Sequence, residues 1–260
     1  MPRPDGLPIP GYEGNCQAAK TDCVLQHHCG FHVRNCICSE LQQYFGASLP
    51  QGTHKFTMQP GDEIDPDSLP NSPVLGILTG SVGMVTHLSD GRRTISGLFF
   101  PGDYINLASL GRQSCGEITA LAASAVQLME QSVFDRLLSI SEGARTHFFT
   151  QTNKFLFRQL DHSNDLAKKT PIERIAAFIF ELINRSVPRK SNQMTSIAIP
   201  FGRRDIADYL GLQPETVSRG FTSLTNEGVI TLPEADLVTI ENVKHLRQIA
   251  NGGRPRKRGI

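Results

Sequence analysis

The chain has 260 residues, of which 39% are hydrophobic, and a formal net charge of +1. It is therefore long enough for one large or two ordinary domains with a buried core. No apolar run approaches the roughly 18 residues that a membrane span needs, and the polar start MPRPDGLPIPGYEGN lacks the apolar stretch of a signal peptide. We expect a cytoplasmic protein, in reducing surroundings where clustered thiols serve metal or redox chemistry more often than disulfides.

Cysteine is concentrated in an N-terminal segment, residues 1–40. Four cysteines and three histidines lie within CVLQHHCGFHVRNCIC, from Cys23 to Cys38, and Cys16 precedes them, whereas Cys115 stands alone. The pattern is compatible with an Fe–S site, a reversible thiol switch, or zinc bound by thiolates together with His27, His28 or His32. Thiols without a function are a further alternative. The segment has no companion Ser/His/Asp or paired-carboxylate arrangement, so we expect no enzyme activity.

Short apolar runs separated by Gly, Pro, Asp and Ser fill residues 41–132. Runs such as PVLGILTGSVGMVTHL and RRTISGLFF predict strands of about 4–8 residues. Ser89–Arg92 predicts a hairpin turn in which Gly91 accepts a positive φ. The regular spacing of turns indicates an antiparallel β barrel or jelly roll.

Residues 133–168 contain no Pro and no Gly after Gly143, so they predict a long helix of about 45 Å. Its apolar stripe comprises Phe148, Phe149, Phe155, Leu156, Leu160 and Leu166. Polar residues interrupt the stripe, which suits a pair of helices better than a dry core. We therefore expect this helix to join two copies of the chain, the alternative being burial within one copy.

Residues 169–245 predict a winged helix-turn-helix. Pro171 begins a helix, and the stretch RRDIADYLGLQPETVSRG then gives a short helix over Arg204–Leu210, a tight turn, and a second helix that starts at Pro214. The following GVITLPEADLVTI predicts a β hairpin, the wing. The order of elements thus predicts an α+β protein with a jelly roll, a long helix and a winged helix-turn-helix.

The second helix of this motif has two distinct faces. Val217, Phe221 and Leu224 recur at helical spacing and should pack inward. The opposite face carries Glu215, Ser218, Arg219 and Thr222. An arginine can bind guanine O6 and N7, a glutamate can accept from cytosine N4–H, and a serine can contact a base or a phosphate. The alternative is an ordinary solvated face with a Glu215–Arg219 ion pair; the helix-turn-helix context favours binding of double-stranded DNA.

Charge distribution supports an anionic partner. Residues 171–260 hold 13 basic and 9 acidic side chains. The tail, residues 246–260, adds salt-dependent phosphate contacts or is a disordered end. Its basic residues are Arg254, Arg256, Lys257 and Arg258.

Three motifs resemble the CRP/FNR family of bacterial transcription regulators, in its FNR/FixK-like branch: GRRTISGLFFPGDYINL, AKKTPIERIAAFI and RRDIADYLGLQPETVSR. The resemblance covers about residues 40–245. It implies a sensory jelly roll, a dimerisation helix, and a homodimer whose recognition helices lie about one DNA turn apart. In the FNR branch the matching glutamate, serine and arginine read a TTGAT-like inverted repeat, which assigns that role to Glu215, Ser218 and Arg219.

The same resemblance implies a [4Fe–4S] cluster that makes DNA binding responsive to oxygen or redox state. The family holds it with three N-terminal cysteines, spaced Cys-x2-Cys-x5-Cys, and one barrel cysteine. This chain departs from that spacing, and Gln127 occupies the barrel position. The predicted ligands are therefore Cys23, Cys29, Cys36 and Cys115, with Cys38 or Cys16 as substitutes. A regulator of the same fold without a cluster, either constitutive, zinc-bound or thiol-switched, is the alternative.

Two further expectations come from the family. The cyclic-AMP site of the CRP branch needs an arginine for the phosphate, but Arg112 is the only cation nearby and no arginine follows Gly116-Glu117 before the next strand. We therefore expect no cyclic AMP. By analogy with the family's barrel loops, the exposed turn Ser89–Arg93 is a candidate contact for RNA polymerase.

Overall fold

The structure is a computed structural model that describes residues 44, 50–66, 69, 73–107, 116–186 and 195–253. These residues form two compact units. The barrel unit contains the described residues up to His87 together with Ser96–Phe155, and the C-terminal unit contains Leu88–Ile95 and the described residues from Leu156 onward. The cysteine segment, Arg112, Cys115 and the basic residues from Arg254 lie outside the described residues, so the expectations about them stay predictions.

The barrel unit is built from two four-stranded antiparallel sheets. Their orders are β1-β8-β3-β6 and β2-β7-β4-β5, which confirms the predicted jelly roll. The strands are β1 Thr53–Met58, β2 Glu63–Ile64, β3 Val74–Thr79, β4 Val82–His87, β5 Arg93–Phe99, β6 Tyr104–Asn106, β7 Glu117–Ala120 and β8 Ser124–Met129. The predicted hairpin turn joins β4 to β5, with Gly91 at φ 83°.

Alternation along the strands separates two apolar clusters. One cluster includes Leu75, Ile118 and Val126. Val74 and Met129, their neighbours of opposite parity on β3 and β8, instead pack with Phe134, Leu137 and Ala144 from the helices that follow. The sheet therefore has apolar contacts on both faces.

The long helix predicted over 133–168 is two helices, α1 Gln131–Ile140 and α2 Glu142–Lys168. Ser141 lies between them in an extended conformation, with φ −117° and ψ 113°. Its hydroxyl oxygen accepts a hydrogen bond from Ala144 N at 2.9 Å. A serine that caps a new helix in this way competes with continuation of the old one, which explains the break.

The apolar stripe predicted for α2 divides between its faces. Phe148 packs edge-on against Phe134 with ring centroids 5.0 Å apart, and Phe155 stacks on Phe99 at 5.1 Å. Phe149, on another face of the helix, remains exposed. So do Leu156, Phe157, Leu160 and Leu166.

The C-terminal unit continues with α3 Pro171–Ser186, β9 Thr195–Ala198, α4 Arg203–Leu210, α5 Pro214–Asn226, β10 Ile230–Glu234, β11 Leu237–Ile240 and α6 Val243–Ala250. The strands form one sheet in the order β10-β11-β9, so the predicted wing is present. Helix α6 crosses the predicted start of the tail at residue 246, and its Leu246 and Ile249 are fully buried. Among the described residues, no helix has the length and apolarity that crossing a bilayer requires.

Candidate nucleic-acid interface

A tight turn sets the angle between α4 and α5. Gly211 ends α4 in the left-handed region, at φ 61°, and donates its N–H to the carbonyl of Ala207. Leu212 N donates to the same carbonyl at 3.0 Å. Gln213 then takes an extended conformation, and Pro214 opens α5 at a position where the missing N–H costs nothing. The predicted helix-turn-helix is therefore present.

The inner face of α5 is packed as its spacing predicts. Val217, Phe221 and Leu224 are each at most 1% exposed. Gly220 lies on the same side, and a Cβ atom there would collide with Cδ1 of Ile175 on α3. The glycine thus lets α3 approach the backbone of α5 closely. This packing fixes the rotation of α5 about its axis.

The outer face of α5 carries all four predicted DNA-binding residues. Glu215, Ser218, Arg219 and Thr222 are exposed, and Glu215 lies in the first turn, where the helix dipole favours a negative charge. No ion pair joins Glu215 to Arg219 within the part of the chain that the structure describes. Their charged groups are therefore not engaged with each other, contrary to the alternative of an i,i+4 pair.

Two hydroxyl groups on this face already donate to the helix backbone. Ser218 Oγ donates to the carbonyl of Pro214 at 3.0 Å, and Thr222 Oγ1 donates to the carbonyl of Ser218 at 3.1 Å. A hydroxyl that donates in this way keeps its lone pairs for an incoming donor. In this conformation Ser218 and Thr222 present acceptors to a ligand.

Arg203 packs against the buried side of α5, opposite the exposed face, and the sequence alone did not single it out. Its guanidinium carbon lies 3.6 Å from the centroid of the Phe221 ring, a cation–π contact between the start of α4 and the core side of α5. Burial lowers the pKa of Arg203. Its neighbour Arg204 is exposed. The Arg203-Arg204 pair was visible in the sequence, but only the structure separates a packing arginine from a solvent-facing one.

Two further contacts of α4 were not predicted from the sequence. One is made by Arg174, and the other is the stacking of His162 on Tyr209. Arg174 donates from Nε to Lys169 O at 3.0 Å, from Nη1 to Leu210 O at 3.0 Å, and from Nη2 to Leu166 O at 2.9 Å. One guanidinium thereby satisfies carbonyls at the C-terminal ends of α2 and α4. The rings of His162 and Tyr209 are stacked with centroids 4.0 Å apart. Burial is the main cause that lowers the pKa of His162 and raises that of Tyr209.

The predicted metal ligands cannot be placed in the same way. Cys16, Cys23, Cys29, Cys36, Cys38 and Cys115 all lie outside the described residues. Over the residues that are described, no group of three or more His, Cys, Asp or Glu side chains is arranged to hold a metal ion. Gln127 is described: it is 3% exposed, and its Nε2 atom has no hydrogen-bond partner.

Comparison with known proteins agrees with this geometry. Residues 173–249 match the family model of the Crp-like helix-turn-helix domain. The nitrogen fixation regulation protein FixK of Bradyrhizobium diazoefficiens is 29% identical over 219 residues, covering 82% of this chain and 86% of FixK. FixK of Rhizobium meliloti is 30% identical over 195 residues, covering 75% of this chain and 86% of FixK. The solved structure of FixK2 from Bradyrhizobium japonicum superposes with a TM-score of 0.64 at 28% identity, covering 79% of this chain and 99% of FixK2.

Proposed function

Since the chain belongs to the CRP/FNR family of DNA-binding transcription regulators, in its FixK-like branch, we propose that it acts as a homodimer on a TTGAT-like inverted repeat. The observation that carries this proposal is the outer face of α5, where Glu215, Ser218, Arg219 and Thr222 are exposed together while the inner face is buried. The protein is a cytoplasmic regulator and not an enzyme.

Each residue of the face has a chemical role in reading base edges. Arg219 binds O6 and N7 of a guanine, and Glu215 accepts from N4–H of a cytosine. Ser218 and Thr222 accept from a base amino group, because their own protons are directed at backbone carbonyls. Contacts of this kind in the major groove distinguish base pairs, whereas phosphate contacts only position the helix.

Dimerisation through α2 supplies the second recognition helix. Phe149, Leu156 and Leu160 are spaced by seven and four residues and are 60%, 53% and 51% exposed, as in the seam of a two-helix coiled coil. Asn153 and Ser163 continue the seam as polar members. Pairing of two α2 helices gives a twofold axis, and a twofold dimer requires an inverted repeat in the DNA.

A binding assay with matched variants tests this function. Fluorescence anisotropy is measured on duplexes that carry a TTGAT-like repeat and on a set with each half-site base pair replaced in turn. We expect wild-type protein to prefer the repeat, and Arg219→Ala to lose about 1–3 kcal/mol and to relax preference at one position per half-site. The control is Asn226→Ala, an exposed residue at the far end of α5. A uniform loss of affinity on all sequences would show that Arg219 contacts phosphate instead.

The N-terminal thiols are the proposed site of signal input, through a [4Fe–4S] cluster held by Cys23, Cys29, Cys36 and Cys115, with Cys38 or Cys16 as substitutes. Four thiolates suit such a cluster, which supplies a redox-sensitive link between them when bound. The barrel position does not fit it, because Gln127 is a buried amide and not a thiolate. Any cluster must therefore take its thiolates from residues outside the described ranges.

Because Gln127 is an amide at the position where the family has a cysteine ligand, a second candidate is favoured: a regulator of the same fold with no cluster. Anaerobic purification followed by iron, sulfide and zinc analysis separates the two. A brown protein that air bleaches, with operator binding that falls on bleaching, supports the cluster. A colourless protein with zinc alone, or with equal operator binding in air and without it, supports the second candidate.

The β4–β5 turn is the proposed contact for RNA polymerase, through which the protein activates transcription. Ser89, Asp90, Gly91 and Arg92 are exposed, whereas Arg93 is only partly so. The surface available to the polymerase is therefore the first four residues of the predicted turn. Arg93 has other partners.

A further inference from the structure

Arg93 makes an ion-pair cluster within the C-terminal unit. Its Nη1 atom lies 2.7 Å from Asp205 Oδ1 and 2.7 Å from Asp208 Oδ2, and the three side chains are 16%, 22% and 18% exposed. Thr94 Oγ1 adds a contact of 3.4 Å to the carbonyl of Asp208. Asp205 and Asp208 are three residues apart, on one face of α4. The tip of the β4–β5 hairpin, Leu88–Ile95, is thus fastened to the first helix of the helix-turn-helix.

The charges of this cluster depend on one another. Burial alone would lower the pKa of Arg93, but its hydrogen bonds to Asp205 and Asp208 and their charge attraction together raise it. Without the cation, two neighbouring carboxylates would remain on the same face and repel each other. Removal of one member of a poorly solvated ion pair leaves uncompensated charge, so the cluster should break as a unit.

Arg92, the preceding residue, has a different environment. Its Nε lies 2.8 Å from Asp90 Oδ2, but the two side chains are 75% and 53% exposed. A solvated pair between residues so close in sequence contributes little. The hairpin tip therefore carries two different arginines. Arg92 pairs only with a residue of its own turn, whereas Arg93 connects the tip to α4.

Arg174 holds the C-terminal end of α4 through the carbonyl of Leu210. Arg93 binds Asp205 in the first turn of this helix and also Asp208, two residues before its last residue. Contacts from outside the helix-turn-helix therefore fix both ends of α4. The DNA-facing side chains of α5, such as Arg219, stay exposed while these contacts are formed. The contact at Arg93 is thus compatible with DNA binding and does not cover the recognition face.

We propose that Arg93, Asp205 and Asp208 form a latch that positions the helix-turn-helix for DNA binding. Arg93 acts as a positioning residue: it holds α4 against the hairpin tip Leu88–Ile95 and thereby fixes the orientation of the helix-turn-helix. This inference rests on the proposed function, because it is tested by how DNA affinity depends on the spacing between the two half-sites of the inverted repeat. The latch matters for the orientation of α5 and not for its base contacts.

The test compares Arg93→Gln with Arg92→Gln in the full chain. Anisotropy is measured on three duplexes: the full inverted repeat, a single half-site, and the repeat with two base pairs added between the half-sites. We expect Arg93→Gln to bind the full repeat about tenfold more weakly, a typical size for coupling between sites. Its half-site affinity should match wild type, and the added base pairs should weaken it less than they weaken wild type. Arg92→Gln should resemble wild type on all three.

Asp208→Asn is a second test in case Arg93→Gln does not fold. It is the milder change, because Arg93 keeps its ion pair with Asp205. It should move in the same direction as Arg93→Gln by a smaller factor, and the double variant should lose less than the sum of the two. Thermal melting is measured on each. Identical behaviour of the two arginine variants, or an equal loss on the full repeat and the half-site, overturns the latch while leaving the proposed function intact. Absence of any sequence preference in wild-type protein overturns the proposed function and the latch with it.

Discussion

Helices α2 and α5 distribute their apolar side chains in opposite ways. In α5 the buried residues are apolar, Val217, Phe221 and Leu224 among them, and the exposed face is polar. In α2 the buried residues include His147 and Gln151, each 6% exposed, whereas Phe149 and Phe157 are 60% and 64% exposed. Within a single chain, therefore, the apolar side chains of α5 are fully packed, whereas several large apolar side chains of α2 remain exposed.

The difference in exposed surface suits the different roles proposed for the two helices. An exposed stripe of large apolar side chains is unfavourable in water and marks an interface, because its burial removes apolar area from solvent. The polar exposed face of α5 has no such need and is suited to hydrogen bonding with DNA. These faces agree with the roles proposed above, in which α2 pairs with a second copy of the chain and α5 contacts base edges.

The largest effect expected from this contrast is on folding, with the same substitution made in both helices. Phe221→Ala removes a fully buried ring that also carries Arg203 on its face, and should lower the free energy of unfolding by about 3–5 kcal/mol. Phe149→Ala should leave it nearly unchanged at protein concentrations where the dimer is dissociated. Urea unfolding of both variants measures this. Equal losses would show that Phe149 is packed within one chain.

A charge placed on the exposed stripe of α2 should act on assembly instead. Leu160→Asp puts two carboxylates at the proposed seam and should weaken the dimer by about 3 kcal/mol, roughly a hundredfold. Lys154→Asp is the control, since Lys154 is exposed on α2 and lies about 140° around the helix from Phe149. Sedimentation equilibrium gives the dissociation constants. If both variants dimerise as wild type does, α2 is not the interface.

The two helices also show what a sequence can predict. The faces of α5 follow from a period of 3.6 residues within one short segment, so the position of Glu215 and Arg219 on its exposed face was predictable without any tertiary information. The same period divides the α2 stripe, because Phe148 and Phe155 lie seven residues apart on one face whereas Phe149 lies on another. The sequence could not show which of these faces is covered, because that depends on contacts with residues distant in the chain. The break at Ser141 depends on a serine side chain that either caps a helix or continues one.

Contacts distant in sequence were beyond prediction altogether. Arg93 and Asp205 are separated by 112 residues, and no periodicity connects them. The one available signal was a pair of aspartates three residues apart on a helix, a like-charge pair that calls for a nearby cation. Helix α6 was missed because the segment after the wing is short and was grouped with the basic tail that follows it.

The smallest expected effect concerns the polar, packed face of α2. His162 stacks on Tyr209, and burial lowers the pKa of its imidazole. A hydrogen bond that the imidazole donates to the backbone of Tyr209, and the attraction of Asp165, act in the opposite direction and raise it. The folded state therefore favours neutral His162. Its contribution to stability is fully present above the ordinary pKa of about 6.5 and is lost as the pH falls below that value.

Melting temperatures at a series of pH values from about 7.5 to 5 should show this loss. His162→Phe keeps a stacked ring but cannot titrate, so its melting temperature should fall less than that of wild type as the pH is lowered. His54→Phe, at an exposed position in the barrel unit, should keep the wild-type slope. An unchanged slope in His162→Phe would mean that this face of α2 tolerates a charged imidazole, and that the contrast with the buried face of α5 is weaker than the packing indicates.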